Sequence, residues 1–95
     1  SSMAFHHLKN PKQMLKKLST YLNKNGSIAI IDLDEEDGSF HPDPKNMGVH
    51  HFGFNKETIN EWTKETDLKC ANRNIIHSIK KNDIEYPIFL STFNF

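Results

Sequence analysis

Glycine is scarce in this chain and poorly spaced for one of its common uses. The four glycines, Gly26, Gly38, Gly48 and Gly53, include no pair in the G-x-G arrangement that lets a loop approach a phosphate or a dinucleotide. Cysteine is scarcer: Cys70 stands alone, which excludes an internal disulfide framework and suits a reducing compartment. Neither sign of charge is in excess, with 12 Lys and Arg against 12 Asp and Glu, so no overall field favours nucleic acid or an anionic membrane. No apolar run approaches the ~20 residues of a membrane helix, and no signal-peptide pattern opens the chain. At 95 residues there is room for one small domain, burying about 60–65% of its unfolded surface. The expectation is a cytoplasmic domain with neither nucleic acid nor membrane as a partner. Ser1 to His7 has no initiator Met at its first position and no polar, tail-like character, and reads as interior sequence.

What is present centres on Asn25-Gly26-Ser27-Ile28-Ala29-Ile30-Ile31-Asp32-Leu33-Asp34. A turn leads into a short apolar strand, and the strand leads into a run of carboxylates at Asp32, Asp34, Glu35, Glu36 and Asp37. No polar residue interrupts the strand before Asp32, so both of its faces are expected to be covered, as in a sheet with helices on each side. In such sheets ligands sit beyond the carboxyl ends of the strands. That is where the acids collect.

Upstream, Asn10-Pro11 opens a helix: Asn10 can cap free amides and Pro11 loses nothing at the first helical position. Met14, Leu15, Leu18, Tyr21 and Leu22 recur at spacings of three and four, one stripe of a helix predicted over 11–23. Lys24-Asn25-Gly26 supplies a basic last turn and a glycine able to take a left-handed cap. From Asp34 to Phe54 the pattern lapses into a long loop, and loops of this length are usually functional. Asn55 then caps a second helix, 56 to about 66, whose thin apolar face is Ile59 and Trp62. The runs 68–79 and 84–95, joined by Lys80-Lys81-Asn82-Asp83, predict an antiparallel hairpin. Pro87 is tolerable only near the beginning of its strand, because it cannot donate to the ladder. Phe89, Phe93 and Phe95 read as core, and Trp62 as helix-to-sheet packing.

These residues, in this order, resemble the C-terminal half of a class I S-adenosylmethionine-dependent methyltransferase of the small-molecule type. Ser2-Met3-Ala4-Phe5-His6-His7-Leu8 is similar to the segment after the fourth strand. Leu15-x-x-Leu18 through Leu22-Asn23-Lys24-Asn25-Gly26-Ser27 resembles the helix and turn before the fifth strand, although Asn25 stands where many members have glycine. Asp32-Leu33-Asp34 through Phe40-His41 resembles the end of that strand, and Val49 to Phe54 the loop before the next helix. Thr66-Asp67-Leu68 replaces a frequent A-G-F. The terminal hairpin resembles strands six and seven. The resemblance implies an α/β fold: a partial Rossmann-like, three-layer sheet of strands five, six and seven with two helices, the last strand lying between 28–33 and 68–79. It spans residues 1–95 and lacks the glycine-rich, cofactor-binding half.

It also implies function. Methyl transfer to a small-molecule acceptor is an in-line displacement, so such an enzyme positions a nucleophile and, where needed, takes its proton. Candidate bases or donors are His41, His50 and His51, oriented by Glu36 and Asp37; Ser2, Met3, Phe5, His6 and His7 form the wall beside the methionine part of S-adenosylmethionine. Without the missing half, the chain alone is expected neither to bind that cofactor tightly nor to turn over. The missing fourth strand would also leave an exposed apolar edge at 28–33, a template for a homo-oligomer, most simply a two-fold dimer.

Blander readings stand beside these. Asp34 to Asp37 can be a solvated turn, with Asp37-Gly38 reversing the chain, and one ring of His6-His7 can pack while the other faces water. The alternative from another class is a stand-alone binding module with a His/Asp-rich loop. It would use His6, His7, His41, His50 and His51 with Asp32, Asp34 and Glu36 as a transition-metal set. Against a metal, no pair has the H-E-x-x-H spacing, and adjacent histidines in extended chain point opposite ways. Asp32-x-Asp34-x-Glu36 imitates a calcium loop, but Asp37 occupies the position that requires glycine.

Overall fold

The computed structural model describes residues 1–95. Its spine is a three-stranded sheet of β1 (Ile28–Leu33), β2 (Lys69–Lys81) and β3 (Ile84–Asn94), in the order β1-β3-β2 with both pairings antiparallel. The last strand is therefore central, as expected. The β2–β3 hairpin closes on Asn82 and Asp83, both with positive φ (52° and 65°), the conformation whose twist suits a two-residue hairpin turn. Pro87 sits in the fourth position of β3 without cost to the ladder. Its carbonyl accepts from Asp34 N–H (2.9 Å), so its missing donor faces the β1 side one residue beyond the end of that strand.

Two helices pack against the sheet. Helix α1 (Pro11–Tyr21) begins with Asn10 Oδ1 accepting from Gln13 N–H (3.1 Å), and α2 (Lys56–Trp62) with Asn55 Oδ1 accepting from Thr58 N–H (2.8 Å). Both are shorter than predicted. Helix α1 stops at Tyr21, with Leu22 extended; Gly26 is not left-handed, and its N–H instead closes a turn onto Asn23 O (2.9 Å). Tyr21, expected on the apolar stripe, is 76% exposed, whereas Leu18 and Leu22 pack against the core. Beyond α2, the chain tightens into turns as Thr63 N–H bonds Asn60 O and Thr66 N–H bonds Thr63 O.

Both helices lie on one face. Leu15 from α1 and Ile59 and Trp62 from α2 bury against Ile30, Phe89 and Phe93, with Phe5 and Phe54 filling the margin. Trp62 stands edge-on to Phe54, with ring centroids 4.7 Å apart. The other face is bare over most of β1: Ala29 is exposed and Ile31 half-buried. Only at its carboxyl end do Leu33, Tyr86 and Ile88 gather Met3 and Phe40. The sheet is thus covered by helices on one side, two layers rather than three, because residues 1–95 contain no helix for the second face. Phe95, expected in the core, lies 44% exposed past the end of β3.

The edge of β1 expected to be open is filled. Ser2 forms a parallel bridge with Ile31, with Ile31 N–H bonding Ser1 O (2.9 Å) and Met3 N–H bonding Ile31 O (2.7 Å). Further along, Phe54 N–H bonds Leu33 O (3.0 Å). The backbone groups that were to recruit a second copy are therefore already paired. The edge strand is instead β2, whose register slips between Cys70 and Asn72 and between Ile75 and His77. Such bulges blunt an edge.

Candidate functional site

The carboxyl end of β1 is where histidines and acids converge. Asp32, fully buried, lies on the helix side of the sheet with Ile30, opposite Phe89 of β3. Its Oδ1 accepts from His6 Nδ1–H (2.6 Å) and from Leu33 N–H (2.8 Å), and its Oδ2 from the His6 backbone N–H (3.2 Å). A buried carboxylate is stable only when so supplied with donors. His6 itself is 2% exposed. The chain reaches it through a 3₁₀ turn, Phe5–His7, which is stopped where Leu8 turns extended.

That turn decides the geometry. Tight turns bring successive side chains together where a strand would separate them, and the His6 and His7 ring centroids lie 4.3 Å apart. His41 arrives from the loop after β1, with its ring centroid 5.2 Å from His6 and 5.8 Å from His7. His7 Nδ1–H donates to Gly48 O (3.0 Å), so that loop holds the exposed ring in place. His41 has its pKa below the usual imidazole range: burial is the main cause, and positive charge on His6 and His7 adds to it, while Glu36 opposes. The neutral ring, with a free lone pair, is therefore favoured.

The remaining candidates are dispersed. Glu36 Oε1 accepts from Gly38 N–H (2.5 Å), leaving Oε2 buried and without a partner. Asp37 does not orient a histidine. It is exposed and accepts from Ser39 N–H (3.0 Å), and the Ser39 hydroxyl first and that N–H second hold its carboxyl below the ordinary range, the turn-forming alternative. His50 and His51 bond the cluster through backbone only, both N–H groups reaching His6 O (2.9 and 3.1 Å). The His51 ring turns away to Phe54 (5.4 Å) and a shallow groove with Lys12, Glu57 and Trp62. On the cofactor side, Ser2 and His7 are exposed, whereas Phe5 is buried beside Trp62 and Met3 packs toward Leu33 and Tyr86. The roomiest groove, about 720 Å³, runs along α1 past Leu8, Met14 and Lys17 and includes none of these residues.

Arg73 went unnoticed in the sequence, and Asp32, grouped there with the other acids, takes a role not assigned to it. Asp32 is the orienting carboxylate. Arg73, on β2, bonds Asp34 Oδ1 (2.7 Å) and Phe54 O (2.8 Å) while stacking over Phe89 (4.5 Å), tying both ends of the long loop to the sheet.

The chain is 38% identical over 76 residues to an uncharacterized methyltransferase of Schizosaccharomyces pombe. In sequence, the chain is similar to part of that protein. The fold relation is to a crystal structure from Bacillus halodurans C-125, provisionally assigned as a methyltransferase, with TM-score 0.54, 12% identity and 97% of this chain superposed. No family model matches. The methyltransferase-related match covers 74% of this chain but 27% of the yeast protein, and the superposition covers 64% of the bacterial one.

Proposed function

We propose that this chain is the acceptor-side, C-terminal portion of a methyltransferase that uses S-adenosylmethionine, with a small molecule as methyl acceptor and the cytoplasm as its compartment. One observation carries the reading. Residues similar in sequence to a yeast methyltransferase form a wound-sheet fragment whose β1 meets a parallel bridge on one edge and an antiparallel strand on the other. That topology brings His6, His7 and His41 to the end of β1 where such sheets bind ligands.

The residues present do not by themselves complete a cofactor site. No glycine-rich turn is available, and of the five wall residues only Ser2 and His7 offer exposed side chains. Bound in a longer protein, the cofactor supplies an electrophilic methyl group. The share of this chain is to position the acceptor at the His7–His41 face and to take its proton. The neutral state favoured for His41 suits a base; His50 and Glu36 stand by in the same loop.

The test is methyl transfer from labelled S-adenosylmethionine by the product of the longer reading frame, assayed against hydroxylated, amino and thiol small molecules. Transfer to any of them, reduced at least tenfold by His41→Gln, is expected. Full activity in that variant would remove His41 from the chemistry, and cofactor-independent behaviour would remove the function.

A further inference from the structure

Three imidazoles gathered around Asp32 have a use that methyl transfer does not require. Each of two rings has its tautomer decided by a fixed acceptor. A carbonyl oxygen can only accept, so His7 carries its proton on Nδ1 toward Gly48 O (3.0 Å). Asp32, an acceptor for three N–H groups, likewise draws the His6 proton to Nδ1. In the neutral rings both Nε2 atoms then present lone pairs. His41 adds a third ring, whose Nδ1 is buried with no hydrogen-bond partner. One ring nitrogen from each histidine lies within 4.8 Å of the other two. Ring nitrogens gathered this closely can share a cation.

We propose that His6, His7 and His41 bind a first-row transition-metal dication through three imidazole nitrogens, leaving a fourth position open. The donor set suits zinc and its neighbours, and three protein ligands with one free position is the pattern of reactive rather than structural sites. Asp32–His6 and Gly48–His7 supply the outer acceptors that ligating histidines almost always have. A tetrahedral ion about 2.0–2.1 Å from each nitrogen needs them roughly 3.3 Å apart. Half-buried His41, whose Nδ1 has no hydrogen-bond partner, can shorten that distance by side-chain rotation. Glu36 Oε2, buried and unpaired, belongs to the same loop turn and can accept from a water in the open position.

The objections raised by sequence fall on geometry. His6-His7 is a 3₁₀ turn and not a strand, so the neighbours need not diverge. The third ligand comes 34 residues later, through the loop, so no helical spacing is needed. Of the wider set first considered, Asp34 is taken by Arg73 and the His51 ring faces another groove. The site does not rest on methyl transfer. If both hold, the ion would acidify an acceptor in the open position, and His41 would serve as ligand in place of base.

The test uses the untagged 95-residue chain, freed of metal by chelation and titrated with Co²⁺, then with Zn²⁺ in competition. The expected result is one Co²⁺ per chain with visible d–d absorption, displaced by Zn²⁺. Affinity should fall at least tenfold in His7→Gln and in His41→Gln, and about 10–100-fold in Asp32→Asn. His77→Gln, on exposed β2, should bind as the parent does. Circular dichroism keeps misfolding apart from ligand loss, and His7→Gln is the decisive variant because its side chain is on the surface. Absence of stoichiometric uptake, or unchanged affinity in folded His7→Gln, overturns the proposal.

Discussion

Asp32→Asn should be costly far beyond the size of the change. In the parent, Oδ1 serves His6 Nδ1–H (2.6 Å) and Leu33 N–H (2.8 Å), and Oδ2 serves His6 N–H (3.2 Å), all out of contact with water. The amide keeps one acceptor. If its oxygen takes the Oδ1 position, its NH₂ faces the His6 amide, donor against donor, and a buried donor left unpaired costs about 1–3 kcal/mol. The His6 ring bond also loses its charge assistance, about another 1 kcal/mol. The flipped amide strands two donors and is worse. The loss is then roughly 2–4 kcal/mol, a large share of the ~5–14 kcal/mol typical of a chain this long. Urea titration with unchanged m should show a midpoint lowered by about 1–3 M, taking m near 1.5 kcal/mol/M. Asp34→Asn is the control: its carboxylate is half-buried and bonded by Arg73, and about 1 kcal/mol is expected. A cost below ~1 kcal/mol for Asp32→Asn, or equal costs at the two positions, would refute the idea that Asp32 organises the site.

Three further outcomes follow from the packing and the charges. A Cβ on Gly53 (φ 77°) would lie 2.0 Å from Asp34 O, whereas one on Gly48 (φ 74°) meets nothing nearer than His7 Nδ1 at 3.9 Å; Gly53→Ala should cost about 3 kcal/mol or more and Gly48→Ala about 1, and similar melting temperatures would contradict this. Trp62→Ala empties the space between Phe5, Phe54 and the sheet and should cost about 3–5 kcal/mol by denaturant titration, with Trp62→Phe losing clearly less. In metal-free protein, the depressed His41 pKa makes the unfolded chain bind more protons. Its contribution to stability is therefore complete above the unfolded value of about 6.5 and lost as pH falls through the lower folded value. His41→Gln should flatten that part of the stability profile.

Local order was legible because local rules produce it. Asn10-Pro11 and Asn55 cap helices where they stand, and the run 28–33 with the hairpin at Asn82-Asp83 builds the sheet in the expected order. Helix ends were not legible: Leu18 and Leu22 pack against the core while Tyr21, on the same nominal stripe, falls outside it. Contacts across long stretches of chain were also hidden. Nothing in the order of residues says that Asp32 meets His6, 26 positions away, or that Arg73 clasps Asp34 and Phe54. One ring packs and the other is exposed, as one reading had it, but the contact between the His6 and His7 rings was hidden for a plainer reason. Extended geometry was assumed, and a 3₁₀ turn sets the rings side by side. The same segment fills the edge of β1, whose backbone groups there pair within the chain.

The central claim is that this chain is one part of a methyltransferase whose cofactor is held mainly by residues outside it. Calorimetric titration of S-adenosylmethionine into the 95-residue chain and into the product of the longer reading frame tests it most directly. The account predicts no measurable heat of binding for the chain and saturable, roughly micromolar binding (~8 kcal/mol) for the longer protein. Tight binding by the chain alone, or none by the longer product, would contradict it.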